Sequence, residues 1–86
     1  MKKVIMTKPQ DFLNSAIDDE ILELNKELVD IFRIANENKQ DIFVTEDPFQ
    51  KEPQGYMFFS KYVGGYMPFS VCVYDWELKQ FFQCEE

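Results

Sequence analysis

Apolar residues recur with the period of an α-helix between residues 17 and 35. They occupy positions 17, 21, 24, 28, 31 and 35, and Leu22, Val29 and Phe32 widen the stripe. At 100° per residue, the stripe covers about half of the helix circumference, which is typical of a helix that packs with one side on a larger element. The pattern therefore predicts an amphipathic helix with one buried face.

Capping residues mark where this helical region begins and where it can break. Thr7 and Gln10 have the spacing of a capping box, so we expect a helix to start near residue 8. The acidic run at 18–20 can cap a second helix after a break near Asn14. The sequence thus predicts a helical region over about residues 8–38, formed by one long helix or by a broken pair.

The second half of the chain, about residues 41–84, has the composition of β-strands, and so does a short run at the start of the chain. Short runs rich in aromatic and β-branched residues are typical of strands. Such runs lie at residues 2–6, 41–45, 56–63 and 69–74. Two prolines and the lack of an apolar period predict a loop over 46–54. Residues 76–84 fit either a helix or a strand, and we favour the strand.

The string GYMFFS at 55–60 is nearly repeated as GYMPFS at 65–70. Gly64-Gly65 between the two apolar runs is a two-residue hairpin signal that would pair Val63 with Tyr66. Pro68 cannot donate a ladder hydrogen bond, so the ladder begins after it or this strand is an edge. Two copies of six residues are too short for a solenoid. The repeat therefore predicts two neighbouring antiparallel strands.

Together these patterns predict the fold class and the domain organisation. Eighty-six residues suffice for one domain. We expect an α+β fold in which one long or broken amphipathic helix packs on a three- to five-stranded, mainly antiparallel sheet. The single domain spans residues 1–86.

The composition excludes several kinds of chemistry. The chain has no histidine, which is the commonest general base and zinc ligand. Cys72 and Cys84 lack the spacing of a zinc ribbon or a redox pair, and we expect both thiols to stay reduced. No glycine-rich phosphate loop or EF-hand pattern is present. We therefore predict that the protein is not an enzyme and uses no metal or cofactor.

Charge and hydropathy predict the compartment and the kind of partner. The net charge of −7 disfavours binding to nucleic acid or to anionic membranes and favours a basic protein partner. The apolar run after the N-terminal lysines is too short for a signal peptide, and no run reaches the length of a membrane span. We predict a cytoplasmic protein.

Residues 54–62 partly resemble the signature strand of RNA-recognition motifs. Gly55, Tyr56 and Phe58 match that pattern, and the resemblance implies exposed aromatics that stack on bases. The basic, small and final aromatic positions of the motif are not kept, and the net charge is of the wrong sign. We favour a core strand at these residues.

Two sets of residues are candidates for contact with a protein partner. The first is an acidic helix face with steps of about 6 Å, comparable to the spacing of phosphates along DNA. It comprises Asp19, Glu20, Glu23, Glu27 and Asp30. The alternative is a solvated helix face without a role in binding. The second set is aromatic or apolar residues expected to face outward, namely Tyr56, Tyr62, Tyr66, Trp76, Phe12 and Ile34.

These features favour a small acidic protein that binds and inhibits a protein partner. We expect a phage- or mobile-element-encoded inhibitor of a nucleic-acid-processing or defence enzyme, similar to anti-CRISPR or DNA-mimic proteins. An immunity protein that neutralises a basic nuclease toxin would have the same composition. The heptad-like spacing of the helix also allows a homodimeric structural subunit. A small enzyme is the remaining alternative.

Overall fold

The computed structural model describes residues 2–60 and 72–85 of the chain. Within them, five strands form one antiparallel sheet in the order β4-β3-β2-β1-β5, and three helices pack against one face of it. The elements are β1 Lys2–Met6, α1 Pro9–Asn14, α2 Asp19–Glu37, β2 Ile42–Lys51, β3 Gln54–Phe59, β4 Cys72–Tyr74, α3 Asp75–Phe81 and β5 Phe82–Glu85. The predicted α+β fold is confirmed.

Phenylalanine rings from every layer meet in the centre of the core. Phe12 of α1 packs against Phe81 and Phe82, with ring centroids 5.5 Å apart in both pairs. Phe58 on the inner face of β3 contacts Phe32 of α2 at 5.6 Å and Phe82 at 5.4 Å. Tilted and edge-on rings at these distances are favourable contacts, so this cluster joins the helices to the sheet. Because Phe58 is fully buried, it is not available to stack on a base.

The helical region is a broken pair, one of the two predicted alternatives, and α2 begins at the acidic run at 18–20. The side chain of Asp18 accepts a hydrogen bond of 2.9 Å from the backbone N–H of Ile21, which caps α2. Asn38 closes its C-terminal end by donating a side-chain hydrogen bond of 2.8 Å to the Ile34 carbonyl. Lys39 follows with a left-handed φ of 57°, so the chain leaves the helix at that point.

The capping box predicted at Thr7 is wrong. Its hydroxyl and its backbone N–H both donate to the carbonyl oxygen of Phe81, at 3.1 and 2.9 Å. Lys8 occupies the N-cap of α1 without a side-chain hydrogen bond, and Pro9 lies in the first turn. Thr7 therefore ties the end of β1 to the end of α3, a contact between distant parts of the sequence that local spacing does not reveal.

Two apolar residues lie where the helical pattern did not predict them. Phe12 was expected on the polar side of the helix, but it is 0% exposed. Ile17 was expected in the buried stripe, but it precedes α2 and is 87% exposed. The reason is the break, because α1 points in its own direction and residues before Asp19 do not follow the periodicity of α2.

The loop predicted over residues 46–54 is also wrong. β2 continues to Lys51, which pairs with Gln54 at the start of β3, and the register shifts between Glu46 and Lys51. The side-chain amide of Gln54 donates to the carbonyl oxygens of Gln50 and Gly55, at 3.2 and 2.8 Å. Side-chain hydrogen bonds of this kind support an irregular strand that has no apolar period.

The strands β3 and β4 pair as the repeated string predicted. Met57 lies opposite Cys72, which is the register expected from a two-residue turn at Gly64-Gly65. β4 is an edge strand of the sheet in the described residues. The predicted alternatives for Pro68 concern residues outside that range. The turn itself lies outside the described residues.

The preference for a strand over residues 76–84 is wrong for its first part and correct for its last part. α3 covers Asp75–Phe81, and β5 begins at Phe82. The carboxylate of Glu77 accepts a hydrogen bond of 3.1 Å from the backbone N–H of Tyr74, which starts the helix. Phe82 then has extended backbone angles, so the chain passes directly from helix into strand.

Candidate functional site

The solvent-facing side of α2 brings acidic and apolar residues together. Glu20, Glu23, Glu27 and Asp30 are exposed and line a shallow depression, as expected from their spacing. Leu24, which is 38% exposed, and the half-buried Ile31 and Ile34 lie between them. We refer to this surface as the acidic strip, and it comprises Glu20, Glu23, Leu24, Lys26, Glu27, Asp30, Ile31 and Ile34. Asp19 is exposed in the first turn of the same helix.

Local ion pairs neutralise only part of the acidic strip. Lys26 lies 3.7 Å from Glu23, and Arg33 lies 3.6 Å from Asp30. Exposed pairs of this kind contribute little to stability and exchange readily with water or with another charged partner. Within the described part of the chain, Glu20 and Glu27 have no ion-pair partner. The acidic strip therefore keeps a net negative charge beside an apolar centre.

The structure separates the aromatic and apolar candidates from one another. Ile34 lies in the acidic strip, whereas Phe12 is in the core and cannot contact a partner. Trp76 is 54% exposed on α3, and its ring forms a T-shaped pair with Phe81 at a centroid distance of 6.3 Å. Tyr62 and Tyr66 lie outside the described residues.

The expectation that Tyr56 faces outward is wrong. Its ring is half-buried on the same sheet face as Phe58, because alternate residues of a strand share a face. The hydroxyl donates a hydrogen bond of 3.3 Å to the carboxylate of Asp75 in α3. Tyr56 therefore joins the sheet to a helix.

Asp75 is the centre of a small charged network at this contact. The Nζ atom of Lys79 lies 2.8 Å from its carboxylate and lowers the pKa of Asp75. Burial, together with the Asp75 charge, raises the pKa of Tyr56. At neutral pH the tyrosine thus keeps its proton, and the carboxylate and the ammonium group stay charged. Such a network holds α3 against the sheet.

The thiol of Cys84 is not activated. Cys84 is a free thiol, half-buried on β5, and burial raises its pKa above the ordinary value. The thiolate is the nucleophilic form, so a thiol held in its protonated form reacts slowly. The side chain of Cys72 lies outside what the structure describes. In residues 2–60 and 72–85, no group of three cysteine, aspartate or glutamate side chains is placed to hold a metal ion.

Comparisons with known proteins give no relative. No protein-family model matches the chain, and neither a curated protein nor a solved structure is significantly similar to it. Among the helices of the described residues, none combines the length and the apolar character that crossing a membrane requires.

The periodicity of the sequence indicated the exposure of the acidic strip, but two features were missed. One is the exposure of Leu24, which was assigned to the buried stripe but is 38% exposed beside the carboxylates, whereas Ile31 does pack against the core with part of its side chain. The other is a groove between α2 and β1. Its lining comes from distant segments, so no local pattern signals it.

Proposed function

We propose that this protein binds and inhibits a protein partner through the acidic strip of α2. The observation that supports this most directly is that exposed carboxylates surround apolar side chains on one helix face. A solvated helix face without a role in binding needs no apolar centre. Binding surfaces commonly have such a centre within a polar rim.

The two components of the strip have different physical roles. Leu24, Ile31 and Ile34 would supply contact area that loses water on binding. The carboxylates of Glu20 and Glu27 would attract a basic partner and set its orientation, because charge acts mainly on the rate of association. The partner should therefore present lysine or arginine residues around an apolar groove that takes one side of a helix.

The class of partner follows from this charge. Proteins with strongly basic surfaces include enzymes that process nucleic acid, and the helical rise spaces Glu23 and Glu27 about 6 Å apart, comparable to phosphates along a DNA strand. The chain would then occupy the surface on which such an enzyme binds its substrate. Neutralisation of a basic nuclease toxin by an immunity protein would use the same surface and the same chemistry.

The test compares three forms of the protein as bait in cell extracts. The first is the wild type, and the second carries Glu23→Lys, Glu27→Lys and Asp30→Lys in the acidic strip. The control carries Asp11→Lys, Glu46→Lys and Glu52→Lys, which reverse exposed acids outside the acidic strip. Both variants therefore have the same net charge. Bound proteins are identified by mass spectrometry, and the activity of any captured enzyme is measured with and without each form.

Specific retention distinguishes the outcomes. We expect a basic protein that binds the wild type and the control variant but not the acidic-strip variant, and whose activity falls at a one-to-one ratio of the two proteins. Equal retention by all three forms contradicts the proposal that the acidic strip is the binding surface. A partner whose activity does not change on binding contradicts inhibition.

A further inference from the structure

A groove of about 560 Å³ lies between the C-terminal half of α2 and strand β1. Pro9 and residues 40–42 also line it. This size is within the range of roughly 300–1,000 Å³ found for small-molecule sites. The helix contributes residues 29, 32, 33 and 36 to the groove, on a different side from Leu24 and Ile34 of the acidic strip. The groove is therefore a separate surface.

The walls of the groove are mainly apolar and partly open. Met6, Val29 and Phe32 line it and are only half-buried, and Ile5 is 39% exposed. Side chains of this kind gain stability when a ligand removes the remaining water from them. Apolar lining with few polar groups is characteristic of small-molecule sites.

The charged residues at the rim already have partners. Lys3 lies 3.4 Å from Asp41 and 3.6 Å from Glu85. Arg33 lies 3.1 Å from Glu37 and 3.6 Å from Asp30. An anionic ligand would compete with these carboxylates within a protein of net charge −7. A cationic ligand would compete with Lys3 and Arg33 for the same carboxylates, including that of Asp41, which also lines the groove.

Two amide side chains provide the remaining polar contacts. Asn36 and Gln40 line the groove, and their side-chain amides make no hydrogen bond within the described part of the chain. An amide group both donates and accepts hydrogen bonds and carries no charge. These residues therefore suit an uncharged polar group at one end of an apolar ligand.

We propose that this groove binds an uncharged small molecule with an apolar body and one hydrogen-bonding end. The body packs on Met6, Val29 and Phe32, and the polar end bonds to the amide of Asn36 or Gln40. This site goes beyond the proposed partner binding and does not depend on it.

The test uses three ligands that share one apolar body. They are 4-phenylbutanamide, its carboxylate 4-phenylbutyrate and the amine 4-phenylbutylamine. Each is titrated into the full chain, and the methyl signals of Met6, Val29 and Leu24 are followed by NMR. We expect the amide to shift the signals of Met6 and Val29 but not that of Leu24, with an affinity at least about tenfold higher than the two charged ligands.

Two variants locate the binding. Val29→Phe should fill the groove and weaken the amide about tenfold or more, whereas Leu24→Phe, the same kind of change on the acidic strip, should leave its affinity unchanged. If Val29→Phe disrupts the fold, Asn36→Leu serves instead. It removes the exposed side-chain amide and should lower the affinity for 4-phenylbutanamide several-fold.

Three results would overturn the proposal. They are the absence of shifts at Met6 and Val29 with any of the ligands, equal affinity for all three ligands, and undiminished affinity in a folded groove variant.

Discussion

The side-chain amide of Asn25 donates a hydrogen bond of 3.0 Å to the carbonyl oxygen of Phe12. Asn25 is 5% exposed, and Phe12 is fully buried. The bond connects the centre of α2 to the last turn of α1, where the Phe12 carbonyl also accepts a longer hydrogen bond of 3.3 Å from the backbone N–H of Ser15. A buried polar residue in α2 thus determines how the two helices meet, which explains why asparagine interrupts the apolar side.

Replacing Asn25 and Ser15 together should destabilise the protein more than the two single replacements predict. The hydroxyl of Ser15 donates to the same Phe12 carbonyl at 2.7 Å, so either donor can satisfy it when the other is lost. We expect Asn25→Ala to cost about 2 kcal/mol of unfolding free energy and Ser15→Ala about 1 kcal/mol. The double variant should lose more unfolding free energy than the sum of the two single changes, because the carbonyl then keeps only the long 3.3 Å hydrogen bond from the Ser15 backbone N–H. Urea unfolding of the four proteins measures this coupling, and strict additivity would contradict it.

The start of α3 should respond differently to loss of charge and to loss of the acceptor. Burial raises the pKa of Glu77, although the hydrogen bond from Tyr74 opposes this shift. Because the folded pKa is raised, the contribution of this group to stability is largest at low pH and decreases as the pH rises through the folded pKa.

Glu77→Gln keeps an acceptor without the charge, so we expect it to be at least as stable as the wild type at pH 7. Glu77→Ala removes the acceptor and should lower the unfolding free energy by about 1 kcal/mol. Unfolding experiments at pH 4 and pH 7 compare the three proteins. A Gln variant as unstable as the Ala variant at pH 7 would show that the charge itself is needed.

The contact between Tyr56 and Asp75 should make stability depend on high pH. The pKa of Tyr56 is raised, so the stability contributed by its neutral hydroxyl is complete below the ordinary tyrosine value and is lost as the pH rises through the folded pKa. We expect Tyr56→Phe to fold and to cost about 1 kcal/mol at neutral pH. The difference in unfolding free energy between this variant and the wild type should become smaller above about pH 10. A difference that is constant over this range would contradict the role of the hydroxyl.

Gly55 should not tolerate a side chain. A Cβ atom at this position would lie 2.9 Å from Cγ and 3.1 Å from Cβ of Gln50, on the irregular part of β2. We expect Gly55→Ala to destabilise the protein by about 1–3 kcal/mol, since the Gln50 side chain or one of the strands must shift. The same change combined with Gln50→Ala removes the nearer atom and should cost less than the two changes added together. Thermal unfolding of the single and double variants decides this.

Salt should slow the association of the acidic strip with its partner. Carboxylates that steer a basic surface act at long range and are screened by ions, whereas the apolar centre acts after contact. For a partner identified in the capture experiment, we expect the association rate to fall steeply between low and physiological salt and the dissociation rate to change little. Reversal of Glu23, Glu27 and Asp30 should reduce the association rate by about tenfold or more. An association rate independent of salt would favour a solvated helix face.

Local signals in the sequence predicted those elements that local interactions determine. Asp18 caps α2 through its own side chain, and the aromatic runs form strands that pair in the register of the repeated string. The strand residues within 46–54 were not predicted, because side-chain hydrogen bonds from Gln54 hold this segment extended without an apolar period. The helix over residues 75–81 was not predicted, because Leu78 and Phe82 fit both a helical and an alternating pattern.

Tertiary contacts decide the rest, including much of the candidate site. The direction of α1 places Phe12 in the core, and only the packed structure shows that Tyr56 points toward Asp75. The exposure of Glu20, Glu23, Glu27 and Asp30 could be predicted from helical spacing. The groove beside β1 could not, because its walls come together only when α2 packs on the sheet.

The position of β1 in the sheet constrains the order in which the molecule can assemble. β1 pairs with β2 on one side and with β5 on the other, and β5 is the last strand of the described chain. Contacts between such distant segments carry a large loop-closure entropy and slow folding. During synthesis, one edge of β1 therefore stays without its strand until β5 has left the ribosome. Over that interval the nascent chain exposes a template on which other unpaired strands could aggregate.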